Sequence, residues 1–137
     1  MILAVDGVIE RKGKILLVER KNEPFAGRLA LPGGLVGKET VEKAVVREMK
    51  EETGLKVIPE QILGVYSDLN RDPRGRIVSI VFVCSAKGKA RPSSDAKKIF
   101  WGKIEEIEFE KLAFDHAKII KDYLKWKKHK GSYWLKK

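Results

Sequence analysis

The sequence predicts an α/β (α+β) fold in which a mixed β-sheet lies between helices. Three observations lead to this prediction: several separate runs of β-branched residues, only two clear amphipathic helices, and no internal repeat or linker. The chain has 137 residues, the usual size of one domain, so we expect a single domain over residues 1–137. Hydrophobic residues make up 43% and charged residues 35%, which is typical of a globular protein.

Strands are predicted where apolar, β-branched and aromatic residues cluster between turn signals. The predicted strands cover residues 2–10, 14–20, 61–67, 76–86 and 98–103, and a short apolar run covers 29–31. Residues 11–13 are Arg-Lys-Gly, which predicts a hairpin between the first two strands. Residues 72–75 are Asp-Pro-Arg-Gly, which predicts a β-turn because proline suits the second position.

Two helices are predicted from their caps and their apolar spacing. The first covers residues 40–53, with Thr40 as N-cap and Gly54 at the C′ position. The second runs from Asp115, as cap, to about Lys128, with a wide apolar arc. His116 lies on that arc, so we expect a core histidine rather than a catalytic one.

Composition excludes several kinds of site and partner. There is one cysteine and there are two histidines, so an internal disulfide, a cysteine-based zinc site and a multi-histidine metal site are excluded. The net charge is +10, and residues 111–137 contain nine lysines and two acidic residues. Because these lysines are interleaved with core-like residues, we expect a solvated helix face and do not expect a nucleic-acid partner. RNA binding through this lysine-rich tail is the alternative.

The chain also lacks the signals of membrane proteins and secreted proteins. No apolar run approaches the ~20 residues that span a bilayer, so we expect no membrane partner. The N-terminus has no basic region and reaches Asp6 early, which does not resemble a signal peptide, so we expect a cytoplasmic protein. Lysine and glutamate are abundant, while asparagine and glutamine are scarce, a usage that resembles that of thermophiles.

Three carboxylates on the first predicted helix form the strongest candidate site. Glu48, Glu51 and Glu52 fall within an arc of about 100° on one helix face. Arg47 flanks this face and can reach Glu51 at i, i+4. A solvated helix face is the structural alternative. However, a Pro-Gly-Gly turn at residues 32–34 precedes the cluster and allows backbone to approach a ligand. Converging carboxylates suit Mg²⁺, which often bridges carboxylates to substrate phosphates.

The spacing of these residues resembles the Nudix box. Gly33, five residues, Glu39 and seven more residues precede a run from Arg47 to Leu55 that reads Arg-Glu-Met-Lys-Glu-Glu-Thr-Gly-Leu. Every defined position of the 23-residue motif is matched. The resemblance implies the Nudix fold, an α/β/α sandwich with a mixed sheet between helices. It also implies metal-dependent hydrolysis of a nucleoside diphosphate linked to another group.

The resemblance also implies roles for the residues of the box. Glu48 and Glu52 match the principal metal ligands, with Glu51 assisting, and the backbone carbonyl of Gly33 matches the position that completes the metal shell. Arg47 matches the residue that orients the carboxylates, and Glu39 matches one that braces the loop against the helix. The implied cofactor is Mg²⁺, with Mn²⁺ as the alternative.

Two residues are candidates for the general base. Family members differ at this point, and some take the base from a loop outside the box. Glu52 is one candidate. Asp95 is the other, because it is the only acid between Asp72 and Glu105, although a loop residue without a catalytic role is the alternative.

The segments around the box resemble the ADP-ribose pyrophosphatase branch of the family. These segments are residues 20–28, 31–34, 70–76 and 114–116. The resemblance implies cleavage of ADP-ribose to AMP and ribose 5-phosphate. The expected substrate-binding residues are Arg20, Phe25, Arg28, Arg71, Arg74 and Arg76. Phe25 and Tyr66 can stack on adenine, but we favour a packing role for both, and we favour a purely structural turn at residues 72–75.

Three other functions share parts of this pattern. A pyrophosphatase acting on oxidised or noncanonical nucleoside triphosphates would use the same catalytic residues. A non-enzymatic ADP-ribose sensor would bind without turnover, and the intact Glu48, Glu51 and Glu52 favour turnover. RNA binding or decapping would use the lysine-rich tail. Many relatives are dimers and the last helix has a wide apolar arc, so a homodimer is a further possibility.

Overall fold

The computed structural model describes residues 1–91 and 98–129. In chain order, the strands are β1 (Ile2–Val8), β2 (Glu10–Arg11), β3 (Lys14–Glu19), β4 (Leu29–Ala30), β5 (Gly33–Leu35), β6 (Val57–Tyr66), β7 (Ile77–Ala86) and β8 (Lys98–Lys103). The α-helices are α1 (Val41–Thr53) and α2 (His116–Lys128). Short 3-10 helices cover Ile104–Glu106 and Phe109–Lys111.

The strands form two four-stranded sheets within the described part of the chain. The first sheet has the order β5-β1-β7-β6, with β1 and β7 parallel and the other pairs antiparallel. In the second sheet, β3 pairs with β2, β4 and β8, and all three pairs are antiparallel. The predicted α+β fold with a mixed sheet is therefore confirmed, although the strands divide between two sheets.

The first sheet lies between the two helices. Along β7, Phe82 packs into the core cluster of α1, while Val81 packs into the cluster of α2. Because side chains alternate between the two faces of a strand, α1 and α2 cover opposite faces of this sheet. Met49 of α1 and Ile119 of α2 are both fully buried in these clusters. Neither helix is long and apolar enough to cross a membrane.

Local signals account for the start and end of α1 and for the first hairpin. The hydroxyl of Thr40 accepts the N–H of Lys43, and Gly54 ends the helix at φ 73°. Both residues act as predicted. In the β2–β3 hairpin, Lys12 and Gly13 have φ values of 49° and 76°, the combination that a type I′ turn requires.

Several element boundaries differ from the predictions. The first predicted strand ends at Val8, and the strand predicted at residues 61–67 begins at Val57. Strand β5 was not predicted, because its two glycines have low strand propensity and its pairing partner β1 is distant in sequence. Asp115 precedes α2, but its side chain does not cap the helix, which corrects that prediction.

Candidate functional site

Two carboxylates of α1 meet two consecutive glycines of β5. The N–H of Gly33 donates to Glu52 Oε1 at 2.7 Å. The neighbouring Gly34 faces Glu48, and a Cβ built on Gly34 would overlap that carboxylate. Only glycine allows this approach, because any side chain here would displace Glu48. Glu48 and Glu52, one helical turn apart, therefore converge beside β5.

Arg47 connects the carboxylates of the box to each other and to β5. Its Nη1 donates to Glu48 Oε1 at 2.7 Å and contacts Glu51 at 3.2 Å, which is the predicted i, i+4 pair. Its Nε donates to Glu39 at 3.0 Å, and its Nη2 donates to the carbonyl of Leu35 at 3.1 Å. The hydrogen bond from Arg47 lowers the pKa of Glu39. Arg47 thereby fixes α1 relative to the segment that precedes it.

The two converging carboxylates are costly to keep charged when no cation is present. Burial raises the pKa of Glu52 to about 7, and the nearby Glu48 adds to the effect. Burial also raises the pKa of Glu48, although Arg47 opposes this. The side chain of Glu51 is 56% exposed. Among the described residues, no three His, Cys, Asp or Glu side chains form a metal-binding group by themselves.

The donor set beside β5 fits a hard divalent cation. Glu48 and Glu52 supply carboxylate oxygens, the ligands that Mg²⁺ and Mn²⁺ prefer. The absence of a side chain on Gly34 leaves the Glu48 carboxylate accessible from β5. A bound cation would also offset the cost of burying two negative charges.

A cleft beside Glu52 has a cationic and aromatic wall. Its lining includes Arg20, Arg74 and Phe114 together with Glu52 and Gly33. The guanidinium of Arg20 lies 4.7 Å from the ring centroid of Phe114, and that of Arg74 lies 5.5 Å from it. The guanidinium groups of Arg20 and Arg74 therefore line the same cleft as Glu52, where an anionic substrate could bind to both arginines.

Phe114 and Arg71 also line an adjoining second cavity. Phe25 and Tyr66 contribute apolar surface to this second cavity. The Phe25 ring packs edge-on against Phe114, with 4.9 Å between the centroids. The two cavities therefore share a wall, and the second is apolar enough for a nucleobase.

Arg71 and Arg74 have different environments. Arg71 is buried and forms a bidentate ion pair with Asp115, with distances of 2.9 and 2.8 Å. This pair explains why Asp115 does not cap α2. Arg74 is half-exposed and pairs with Asp72 at 2.8 Å. Arg74 is thus available to a ligand. Arg71 joins the 68–76 segment to Asp115, but it also lines both cavities, so its role in substrate binding stays a prediction.

The other predicted site residues lie away from the carboxylates or outside the described residues. Arg28 donates to the carbonyl of Glu110 at 3.3 Å, and Arg76 donates to the carbonyl of Ser67 at 2.6 Å. Neither is among the residues that line the cleft. Asp95 lies outside the described residues, so its role as a base stays a prediction.

Two buried polar residues, Asp6 and His116, line the cleft, and a third, Ser79, contacts Asp6. His116 is 3% exposed, as predicted for a core histidine, and it accepts a hydrogen bond from Leu31. Asp6 and Ser79 were not predicted to be part of the site. Burial raises the pKa of Asp6 to about 7, and the hydroxyl of Ser79 donates to its carboxylate. The available signal was an acid in the middle of an apolar strand.

Comparison with known proteins agrees with this architecture. The chain matches the NUDIX domain model over residues 2–123. It is 54% identical over 127 residues to a Methanocaldococcus jannaschii protein named ADP-ribose pyrophosphatase, and the match covers 91% of this chain and 74% of that protein.

Two solved structures share the fold. One is a bifunctional NMN adenylyltransferase/ADP ribose pyrophosphatase from Francisella tularensis, complexed with AMP and a Mn ion. It has a TM-score of 0.82 at 26% identity, over 90% of this chain and 41% of that chain. The other is the NUDIX domain of Shewanella oneidensis NrtR complexed with ADP ribose, with a TM-score of 0.81 at 27% identity, over 91% of this chain and 87% of that chain. The chain described here belongs to the Nudix hydrolase family, as the box at residues 33–55 predicted.

Proposed function

We propose that this Nudix hydrolase cleaves ADP-ribose to AMP and ribose 5-phosphate with the help of a divalent cation. The observation that carries the proposal is the convergence of Glu48 and Glu52 beside the Gly33-Gly34 strand, next to the cleft that Arg20 and Arg74 line. The name of the M. jannaschii relative and the ADP ribose bound to the NrtR domain support the choice of substrate.

Glu48 and Glu52 would hold the cation, with Glu51 and the carbonyl of Gly33 as further ligands. A divalent cation at this position supplies positive charge that offsets the pyrophosphate and activates water for attack at phosphorus. Mg²⁺ is the proposed ion and Mn²⁺ the alternative; the F. tularensis relative was solved with a Mn ion. Arg47 keeps Glu48 in place through its 2.7 Å contact.

The walls of the cleft would bind the two ends of the substrate. Arg20 and Arg74, whose guanidinium groups both lie near the Phe114 ring, can donate to the diphosphate, and charge-assisted bonds of this kind are strong. The adjoining cavity, with Phe25 and Tyr66, offers the adenine an apolar surface. The general base, which takes the proton from the attacking water, would be Glu52 or Asp95, the two candidates from the sequence.

A substrate panel tests the proposal. The purified protein is incubated with Mg²⁺ or Mn²⁺ and with ADP-ribose, CTP, oxidised dGTP or a dinucleoside polyphosphate, and products are separated by ion-exchange chromatography. We expect kcat/KM for ADP-ribose to exceed that for any triphosphate. A tenfold or greater preference for a triphosphate would instead identify a pyrophosphatase that acts on oxidised or noncanonical nucleoside triphosphates. Binding of ADP-ribose without turnover would identify a sensor.

Four further expectations stay proposals. They are a single domain over residues 1–137, a homodimer, a cytoplasmic location and a thermophilic source. None of them is needed for the chemistry proposed above. Size-exclusion chromatography with light scattering would measure the oligomeric state directly.

A further inference from the structure

A buried polar cluster supports residues 31–34, the segment that contacts Glu52 through Gly33. His116 is the first residue of α2, and its Nδ1 accepts the N–H of Leu31 at 2.9 Å. Asp6 lies in the middle of β1, and its carboxylate accepts the hydroxyl of Ser79 from β7. His116 Nε2 lies 3.9 Å from Asp6 Oδ1. All three residues are buried, with at most 8% of their surface exposed.

The arrangement defines the protonation of His116. Because Nδ1 accepts a hydrogen bond, the neutral ring carries its proton on Nε2, the nitrogen nearer to Asp6. Burial lowers the pKa of His116 to about 4, which keeps the ring neutral at physiological pH. A neutral histidine whose acceptor nitrogen is already occupied is poorly suited to transfer a proton to or from a substrate.

Asp6 contacts the same segment at Gly33, two residues after Leu31. Asp6 and Gly33 are direct partners in the β1–β5 ladder, and a Cβ on Gly33 would overlap the Asp6 carboxylate. Asp6 therefore packs directly against Gly33. The N–H of Gly33 in turn donates to Glu52 at 2.7 Å. A continuous set of contacts thus leads from α2 and β1, through residues 31–33, to a carboxylate of the box.

We propose that His116 and Asp6 are positioning residues, which hold residues 31–34, at the start of β5, so that Gly33 fixes Glu52 for binding the cation. This inference rests on the proposed function only in taking Glu52 as a metal ligand. His116 fixes the start of this segment at Leu31, and Asp6 fixes its far side at Gly33. Outer residues of this kind commonly change metal affinity or activity roughly 10- to 100-fold when they are mutated.

Two substitutions at His116 separate positioning from simple stability. His116→Leu keeps apolar bulk but leaves the Leu31 N–H without its acceptor. His116→Asn places an amide oxygen near the former position of Nδ1. We expect His116→Leu to weaken Mn²⁺ binding by the substrate-free protein and to lower kcat, each roughly 10-fold or more, with KM for ADP-ribose little changed. His116→Asn should restore most of both values.

Tyr123→Phe is the matched control on the same helix. It removes the part-buried 2.8 Å hydrogen bond from Tyr123 to Glu10, and neither of these residues lines the cleft beside Glu52. We expect it to lower Tm without changing Mn²⁺ affinity or kcat. Amide hydrogen exchange provides a second readout, because the Leu31 and Gly33 amides should exchange faster in His116→Leu and not in the control.

The inference is overturned if His116→Leu lowers Tm as the control does but keeps wild-type Mn²⁺ affinity and kcat. If His116→Leu does not fold, Asp6→Ala provides the same test. This substitution removes the carboxylate that packs against Gly33. Unchanged Mn²⁺ affinity in Asp6→Ala would then overturn it. If wild type ignores ADP-ribose while Mn²⁺ affinity responds to these substitutions, the positioning inference holds and the proposed substrate is wrong.

Discussion

Replacing Glu52 with glutamine should abolish most activity while stabilising the metal-free protein. Glutamine keeps the size of the side chain, and its amide oxygen can still accept the N–H of Gly33. The variant therefore loses one negative charge at the proposed cation site and little else. We expect a loss of roughly a thousandfold in rate, which corresponds to about 4 kcal/mol of barrier.

The stability effect follows from the raised pKa of Glu52. Its pKa is about 7 in the folded protein against 4.5 for a free side chain. The folded state therefore holds the proton more tightly than the unfolded state, so wild type loses stability as pH rises from about 4.5 through 7. The full penalty is present above pH 7, and the open cleft limits it to at most about 3 kcal/mol. Glutamine removes this penalty.

Thermal unfolding of wild type and Glu52→Gln measures both effects together. In the absence of metal, the variant's advantage in Tm should grow between pH 5 and pH 8. Adding Mg²⁺ should raise the Tm of wild type and leave that of the variant nearly unchanged. An activity within tenfold of wild type, or a Tm advantage that does not depend on pH, would refute the reasoning.

Three further predictions concern Gly34 of β5 and the two arginines Arg71 and Arg74. Gly34→Ala should fold but lose most ADP-ribose hydrolysis, because its Cβ would displace the Glu48 carboxylate; wild-type kcat would contradict this. Arg74→Ala should raise KM more than it lowers kcat, because a half-exposed arginine would bind ground and transition states alike; an unchanged KM would mean that Arg74 serves only the turn. Arg71→Ala should instead lower the free energy of unfolding by about 3–5 kcal/mol, because it leaves Asp115 without its partner; urea unfolding measures the loss, and a change below about 1 kcal/mol would contradict it.

Features determined by nearby residues could be predicted from the sequence. Thr40 caps the start of α1 and Gly54 caps its end, through contacts within a few residues, so residue type and spacing are sufficient to predict the ends of this helix. The same holds for the shared face of Glu48 and Glu52, which follows from helix geometry. The Nudix box then gave the family and the class of reaction.

Features determined by distant contacts could not be predicted. Asp6 and Ser79 meet only because β1 and β7 are parallel neighbours, although they are 73 positions apart in sequence. The ion pair of Arg71 with Asp115 spans 44 positions. Composition alone cannot show that these two residues meet.

Metal-dependent turnover of ADP-ribose tests the central claim most directly. The protein is stripped of metal and ADP-ribose is added, and AMP and ribose 5-phosphate are measured as Mg²⁺ is titrated, with Glu52→Gln alongside. We predict that wild type forms both products in equal amounts only after Mg²⁺ is added and that the variant forms almost none. Hydrolysis at the same rate in chelator, or no product with either Mg²⁺ or Mn²⁺, would contradict the account.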